Sequence, residues 1–139
     1  MKQKKIKKQL AQQGIRVGVA DSANVPKIDY PVFCFKHLMP GYSVNDCSAE
    51  QKAHLLDKLA YMTQKTWQDL NFSAYKNGAG FEQLDKGSMN VPLPSIVTDD
   101  VSKLHVIRFN SMNHRLIGMR SGHTYHITHI DIGLTAYNH

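Results

Sequence analysis

The chain has 139 residues, with 17 basic and 11 acidic side chains, a formal net charge of +6, two cysteines and 42% apolar residues. This length suits one domain with a hydrophobic core that needs neither disulfides nor a structural metal, and the apolar content lies above that of disordered chains. No apolar run approaches the ~20 residues of a membrane-spanning helix, and the lysine-rich start leads into polar "AQQGIRVGVADS" instead of a signal peptide's apolar segment, so a cytoplasmic protein without a membrane partner is expected.

Residues 1–16 hold Lys2, Lys4, Lys5, Lys7, Lys8 and Arg16 and no acid, whereas the rest of the chain balances 11 basic against 11 acidic groups. The organisation expected is a flexible basic arm over 1–16 followed by a single α+β domain over 17–139. Lys4, Lys5, Lys7 and Lys8 are candidate nucleic-acid contacts, since a cationic arm attracts RNA, DNA or an acidic partner. The competing expectation is a solvated arm that contacts nothing. "GVADSANVPKIDYP" then reads as an irregular linker, rich in Gly, Pro, Ser and Asp.

"VFCFKHL" (32–38) carries β-formers on both faces and predicts a strand, central in a sheet, with Cys34 as a small buried hydrophobe. The two cysteines form no CxxC pair, and a cytoplasmic location argues against a disulfide. Ser48 with Gln51 three residues on makes a capping box, and Leu55, Leu59 and Met62 recur at helical spacing, with Leu56 and Ala60 widening the apolar stripe. Thr66 and Asp69 start a short second helix, which Trp67 and Leu70 dock. His54 reads as an ordinary helix position. "YKNGAGFEQLDKGSMNVPLPSIVTDDVSK" is dense in turn formers and predicts a long connector with one short strand at "FEQL". "LHVIRF" (104–109), "RLIGMR" (115–120) and "TYHITHIDI" (124–132) are three strands joined by short turns. The fold class expected is α+β: an antiparallel sheet ending in a three-stranded meander, with helices packed on one face.

Six of the eight histidines lie in the last 35 residues. His123, His126 and His129 have the spacing HxxHxxH, but strand alternation puts His123 and His129 on one face with Tyr125, Ile127 and Asp131. Thr124, His126, Thr128 and Ile130 fall on the other. No common zinc pattern results, so neither a metal nor a cofactor is expected. "HIT" at 126–128 is half of a paired phosphoesterase signature that has no second half here.

The residue types of the meander suit a different chemistry. RNA cleavage through the ribose 2′-OH needs a base, a cation for charge on phosphate and a proton donor for the leaving oxygen. Histidine, arginine and tyrosine supply these roles. The candidates are Arg108, His114, Arg115, Arg120, His123, Tyr125, His126 and His129, followed by Tyr137 and His139. With "HVIRF", "RLIGMR" and "YHITHID" following helices, and "AYNH" at the end, the chain resembles the RelE-like superfamily of toxin–antitoxin mRNA interferases. The resemblance implies a small RNA-cleaving or translation-inhibiting protein, acting without metal on RNA, at the ribosome or elsewhere, and held by an antitoxin partner. It implies phosphate contacts from Arg108, Arg115 or Arg120 and proton transfer by His126, Tyr137 or His139. The alternative expectation is a non-catalytic nucleic-acid- or protein-binding module using the same surface.

Overall fold

In this computed structural model the described residues are 29–72, 81–110 and 113–138. The basic arm, and with it Lys4, Lys5, Lys7 and Lys8, lies outside them, as does His139.

Helix α1 spans Ala49–Thr63 and begins where the capping box predicts: the Gln51 amide donates to Ser48 Oγ at 3.2 Å and the Ser48 amide to Gln51 Oε1 at 2.7 Å. These bonds satisfy two amides that the first turn would otherwise leave open. Its buried face is Leu55, Leu59 and Met62. The stripe is narrower than its sequence suggests, because Leu56 is 68% exposed and Ala60 is exposed too. A three-residue turn later comes α2 (Trp67–Phe72), capped by Thr66 Oγ1, which accepts from the Asp69 amide at 3.0 Å.

Among the described residues five strands form one sheet: β1 (Val32–Cys34), β2 (Phe81–Asp85), β3 (Lys103–Phe109), β4 (His114–Ser121) and β5 (Thr124–Asp131). Their order is β1-β5-β4-β3-β2, antiparallel throughout except for the parallel pair β1–β5. The fold is thus α+β with a mostly antiparallel sheet. "VFCFKHL" departs from expectation in two ways: its strand stops at Cys34, and it lies at the sheet edge rather than in the centre. The chain leaves the ladder there in a turn at Lys36 and His37 and returns when the Met39 amide donates to the Thr128 carbonyl.

One sheet face is covered by the helices. Trp67, Leu70, Leu55, Leu59 and Met62 pack against Ile107, Phe109, Leu116, Tyr125, Ile127 and Ile130. Trp67 is 1% exposed, and its indole Nε1 donates to the His123 carbonyl at 2.9 Å. Tyr125 is fully buried beside it and donates its hydroxyl to the His105 carbonyl at 2.7 Å. The tilted Tyr125 ring leaves no room across β4. A Cβ at Gly118 would lie 2.2 Å from the His126 carbonyl oxygen and 2.9 Å from Tyr125 Cζ, so only glycine fits.

The other face is covered by the long connector, which is not a free loop. Met89, Val91, Leu93, Ile96 and Val101 lie over Leu104, Val106, Ile117 and Met119, joined by Ala136 and Tyr137 from the C-terminal tail. The described residues therefore form three layers: helices, sheet, and an irregular cover.

Strand β5 corrects the expected face assignment. Pairing runs Gly118↔Ile127 and then Ile117↔His129, so Thr128 is the extra residue of a β-bulge. A bulge shifts the alternation by one position. Tyr125 and Ile127 face the helices, and so does Ile130, while His129 and Asp131 join His126 on the irregularly covered face. The bulge is held locally. His129 Nε2 donates to the Pro92 carbonyl at 3.1 Å, and the neutral ring's Nδ1 accepts from the Thr128 hydroxyl at 2.8 Å. That hydroxyl also lies 3.1 Å from the Ile117 carbonyl, so its proton is divided between two acceptors. Burial favours the uncharged ring and pushes the His129 pKa down, against the Pro92 bond and the Asp131 charge.

Candidate functional site

At the end of β5 the buried carboxylate of Asp131 accepts two backbone amides, Thr135 at 3.0 Å and Ala136 at 3.1 Å. These bonds turn the chain through Leu134, whose φ of 57° lies in the left-handed region. The tail folds back on the sheet, where the Asn90 amide donates to the Ala136 carbonyl at 2.8 Å and Met89 bridges Tyr137. Asn90 Nδ2 also donates to Asn138 Oδ1 at 3.1 Å. An acid six residues upstream thus places Tyr137 on the covered face.

Three register pairings supply its neighbours. Arg108 stands opposite Arg115, Arg115 opposite Asp131, and Glu82 opposite Val106, one step diagonal from Arg108. Side chains this close across strands interact directly. Arg108 Nη2 donates to Glu82 Oε2 at 3.2 Å and reaches Oε1 at 3.5 Å. The Tyr137 hydroxyl donates to Glu82 Oε1 at 3.4 Å, and Arg115 bonds the same phenol. Arg115 also donates from Nη1 to the His114 carbonyl at 3.3 Å. Burial and then the Glu82 charge push the Tyr137 pKa up, while Arg115 pulls it back. The phenol therefore holds its proton at neutral pH. A carboxylate, a protonated phenol and two guanidiniums meet at one point, with Arg108 and Glu82 reaching solvent at 22% and 31% side-chain exposure. Arg115 and Tyr137 lie deeper, at 7% each.

Of the expected site residues, Arg108, Arg115 and Tyr137 come together. Arg120 does not join them. It projects to the helix side, its guanidinium 4.3 Å over the Trp67 ring and its Nε donating to the Gly122 carbonyl at 2.8 Å. That arrangement is a cation–π stack at the rim of the apolar core. His126 shares the face of Tyr137 but lies five positions before Asp131 on β5, about 15 Å along a strand. Arg120 and His126 thus occupy opposite faces, as their partners Tyr125 and Met119 require.

His126 has other company. Its Cα partner across the parallel pair is Cys34, and the ring of His37 stands 5.6 Å from its own in an edge-on arrangement. Burial and then the neighbouring His37 charge lower the His126 pKa, and its Nδ1 is buried with no hydrogen-bond partner. Cys34, His37 and Glu82 are site residues that sequence reasoning missed. Glu82 was legible as a strand residue in "FEQL", but its place beside Arg108 depends on the β2–β3 register. Cys34 and His37 do have a signal, the spacing CxxH, yet 88 residues separate His37 from the next member, His126.

No helix among the described residues is long and apolar enough to cross a membrane. No protein-family model matches the chain, and neither the curated proteins nor the solved structures searched contain a match.

Proposed function

We propose that this chain cleaves RNA, and thereby inhibits translation, by metal-independent acid/base chemistry at Glu82, Tyr137, Arg108 and Arg115. What supports the reading is the convergence of these four side chains, with the Glu82 carboxylate bonded to both Tyr137 and Arg108. Glu82 takes the proton of a ribose 2′-OH as that oxygen attacks phosphorus. The bond from phosphorus to the 5′-oxygen breaks, and Tyr137 gives that oxygen its proton. The products are a 2′,3′-cyclic phosphate and a free 5′-hydroxyl. Arg108 and Arg115 balance the charge that grows on the non-bridging oxygens. Contact between Tyr137 and Glu82 then lets the proton return from carboxylic acid to phenolate, which resets the site. A toxin-like protein of this kind is held in check by a partner, and the basic arm adds non-specific attraction to RNA.

One observation favours a second reading, a non-catalytic binding module. Arg115 and Tyr137 are only 7% exposed, so the cluster also serves to pin the tail to the sheet. Cleavage separates the two. The full chain incubated with RNA in EDTA, with and without ribosomes, is expected to yield fragments ending in cyclic phosphate. Glu82→Gln and Tyr137→Phe should each slow cleavage by ~100- to 10,000-fold, the usual contribution of acid/base catalysis, with RNA affinity retained. Intact RNA in both conditions would leave only the binding module.

A further inference from the structure

We infer that Cys34, His37 and His126 form a binding site for one divalent transition-metal ion, Zn2+ first among them, with a fourth coordination position left open. One donor atom from each residue lies within 4.8 Å of the other two. A tetrahedral zinc ion bound to one sulfur and two imidazole nitrogens holds its donors about 3.5 Å apart. The difference is a matter of side-chain rotation.

The fold builds this set in two steps. First, the parallel β1–β5 register sets Cys34 directly opposite His126, and their neighbours Phe33 and Tyr125 meet edge-on at 6.0 Å on the helix side. Alternation then directs Cys34 and His126 together to the other face. Second, the chain after β1 takes five residue steps from Cys34 to Met39 against two on β5 from His126 to Thr128. The surplus chain loops out in the turn at Lys36 and His37, which carries the His37 ring over His126.

The donor types select the ion. A thiolate with two imidazoles suits zinc, copper or nickel, whereas magnesium and calcium require oxygen ligands that this set lacks. The buried Nδ1 of His126 has no hydrogen-bond partner, and a buried polar atom in that state calls for an occupant. All three residues are partly exposed, so an ion has a way in and water or a substrate atom can fill the fourth position. The site also lies where the sheet is weakest. Strand β1 has three residues at a parallel edge, and an ion shared by β1, its turn and β5 would staple that edge. Binding energy at such a site becomes folding energy. Nothing in this inference depends on RNA cleavage.

The test uses the full chain, made without a polyhistidine tag, stripped of metal and titrated with Co2+ under reducing conditions. One Co2+ per chain is expected, with the intense visible bands of a tetrahedral ion and a thiolate-to-cobalt charge-transfer band in the near ultraviolet. Zn2+ should bleach both at one equivalent. Cys34→Ser should abolish the charge-transfer band. His37→Gln and His126→Gln should each weaken Co2+ binding by more than ~100-fold, beyond what loss of an outer-shell partner costs. Cys47→Ser and His123→Gln should bind as the parent does. Circular dichroism checks that each variant is folded. His37→Gln lies outside the strand ladder and carries the test should Cys34→Ser fold poorly. Survival of the charge-transfer band in Cys34→Ser, undiminished affinity in His37→Gln, or no stoichiometric binding by the parent protein would each overturn the site.

Discussion

The two faces of the sheet are covered by different kinds of chain, and their chemistry differs accordingly. Under the helices the contacts are almost wholly apolar, with Arg120 stacked on Trp67 at the margin. A helix satisfies its own backbone, so the surface it offers a sheet is side chain alone. Under the connector and tail an apolar centre (Leu104, Val106, Ile117, Met119) is bordered by polar side chains on both sides. Irregular backbone has amides and carbonyls to satisfy, and buried ones need partners. The Pro92 carbonyl finds His129, and the Thr135 and Ala136 amides find Asp131. Polar side chains are therefore built into this layer by the needs of its cover. The helix face holds the fold together, and the other face assembles chemical groups.

The sharpest attempt to break this contrast is Trp67→Ala. It removes the largest buried side chain of the helix face and should cost ~3–5 kcal/mol, read as a lowered denaturation midpoint with both faces unfolding together. Asp131→Ala should cost less, ~1–3 kcal/mol, by orphaning the amides that turn the tail. Its loss should be local: hydrogen exchange in residues 132–138 rises while the helices stay protected. Equal, global losses from both substitutions would end the division of labour. Tyr137→Phe keeps the ring and removes the phenol's bonds to Glu82 and Arg115, so stability should change by under ~2 kcal/mol while RNA cleavage collapses. A large stability loss with cleavage retained would assign Tyr137 to structure.

The smallest effect concerns pH, and here the faces should agree. Burial is the main cause that lowers the pKa of His105 and His114, on the helix side, and of His129, on the other, below the ordinary 6.5. The unfolded chain takes up these protons first as pH falls. Between 6.5 and the folded-state values the unfolded state thus binds more protons, and stability declines as pH is lowered through that window. Thermal midpoints should be highest and flat above pH ~7 and fall below ~6.5. His129→Gln should make the fall shallower; an unchanged slope would show that His129 carries no part of it.

Much of this architecture was legible in the residues. Ser48 and Gln51 begin α1, Thr66 and Asp69 begin α2, and the three C-terminal strands lie within one or two positions of their apolar runs. Those signals are local: capping reaches three residues, and strand alternation reads neighbours. The site was legible only by residue type. Arg108, Arg115 and Tyr137 were singled out, but Glu82 was not, and Arg120 and His126 were grouped across a sheet that separates them. Cross-strand register separates Arg120 from His126 and sets Glu82 beside Arg108, and Thr128 moves His129 and Asp131 to the other face. A single extra residue reverses alternation for the rest of β5, and its one trace in the residues is the change of parity from Tyr125 and Ile127 to Ile130, which strict alternation passes over.

Sequence alone determined the α+β class, the helix starts and the concentration of arginine, histidine and tyrosine in the last third, because propensity, capping and composition act over a few residues. Tertiary structure decided which of those side chains meet. It set Cys34 opposite His126, Glu82 beside Arg108 and Tyr137 against Glu82, through a parallel register, a bulge and a carboxylate-held turn. Those contacts join residues dozens of positions apart. Their geometry is fixed by how whole layers pack, which no short stretch of chain encodes.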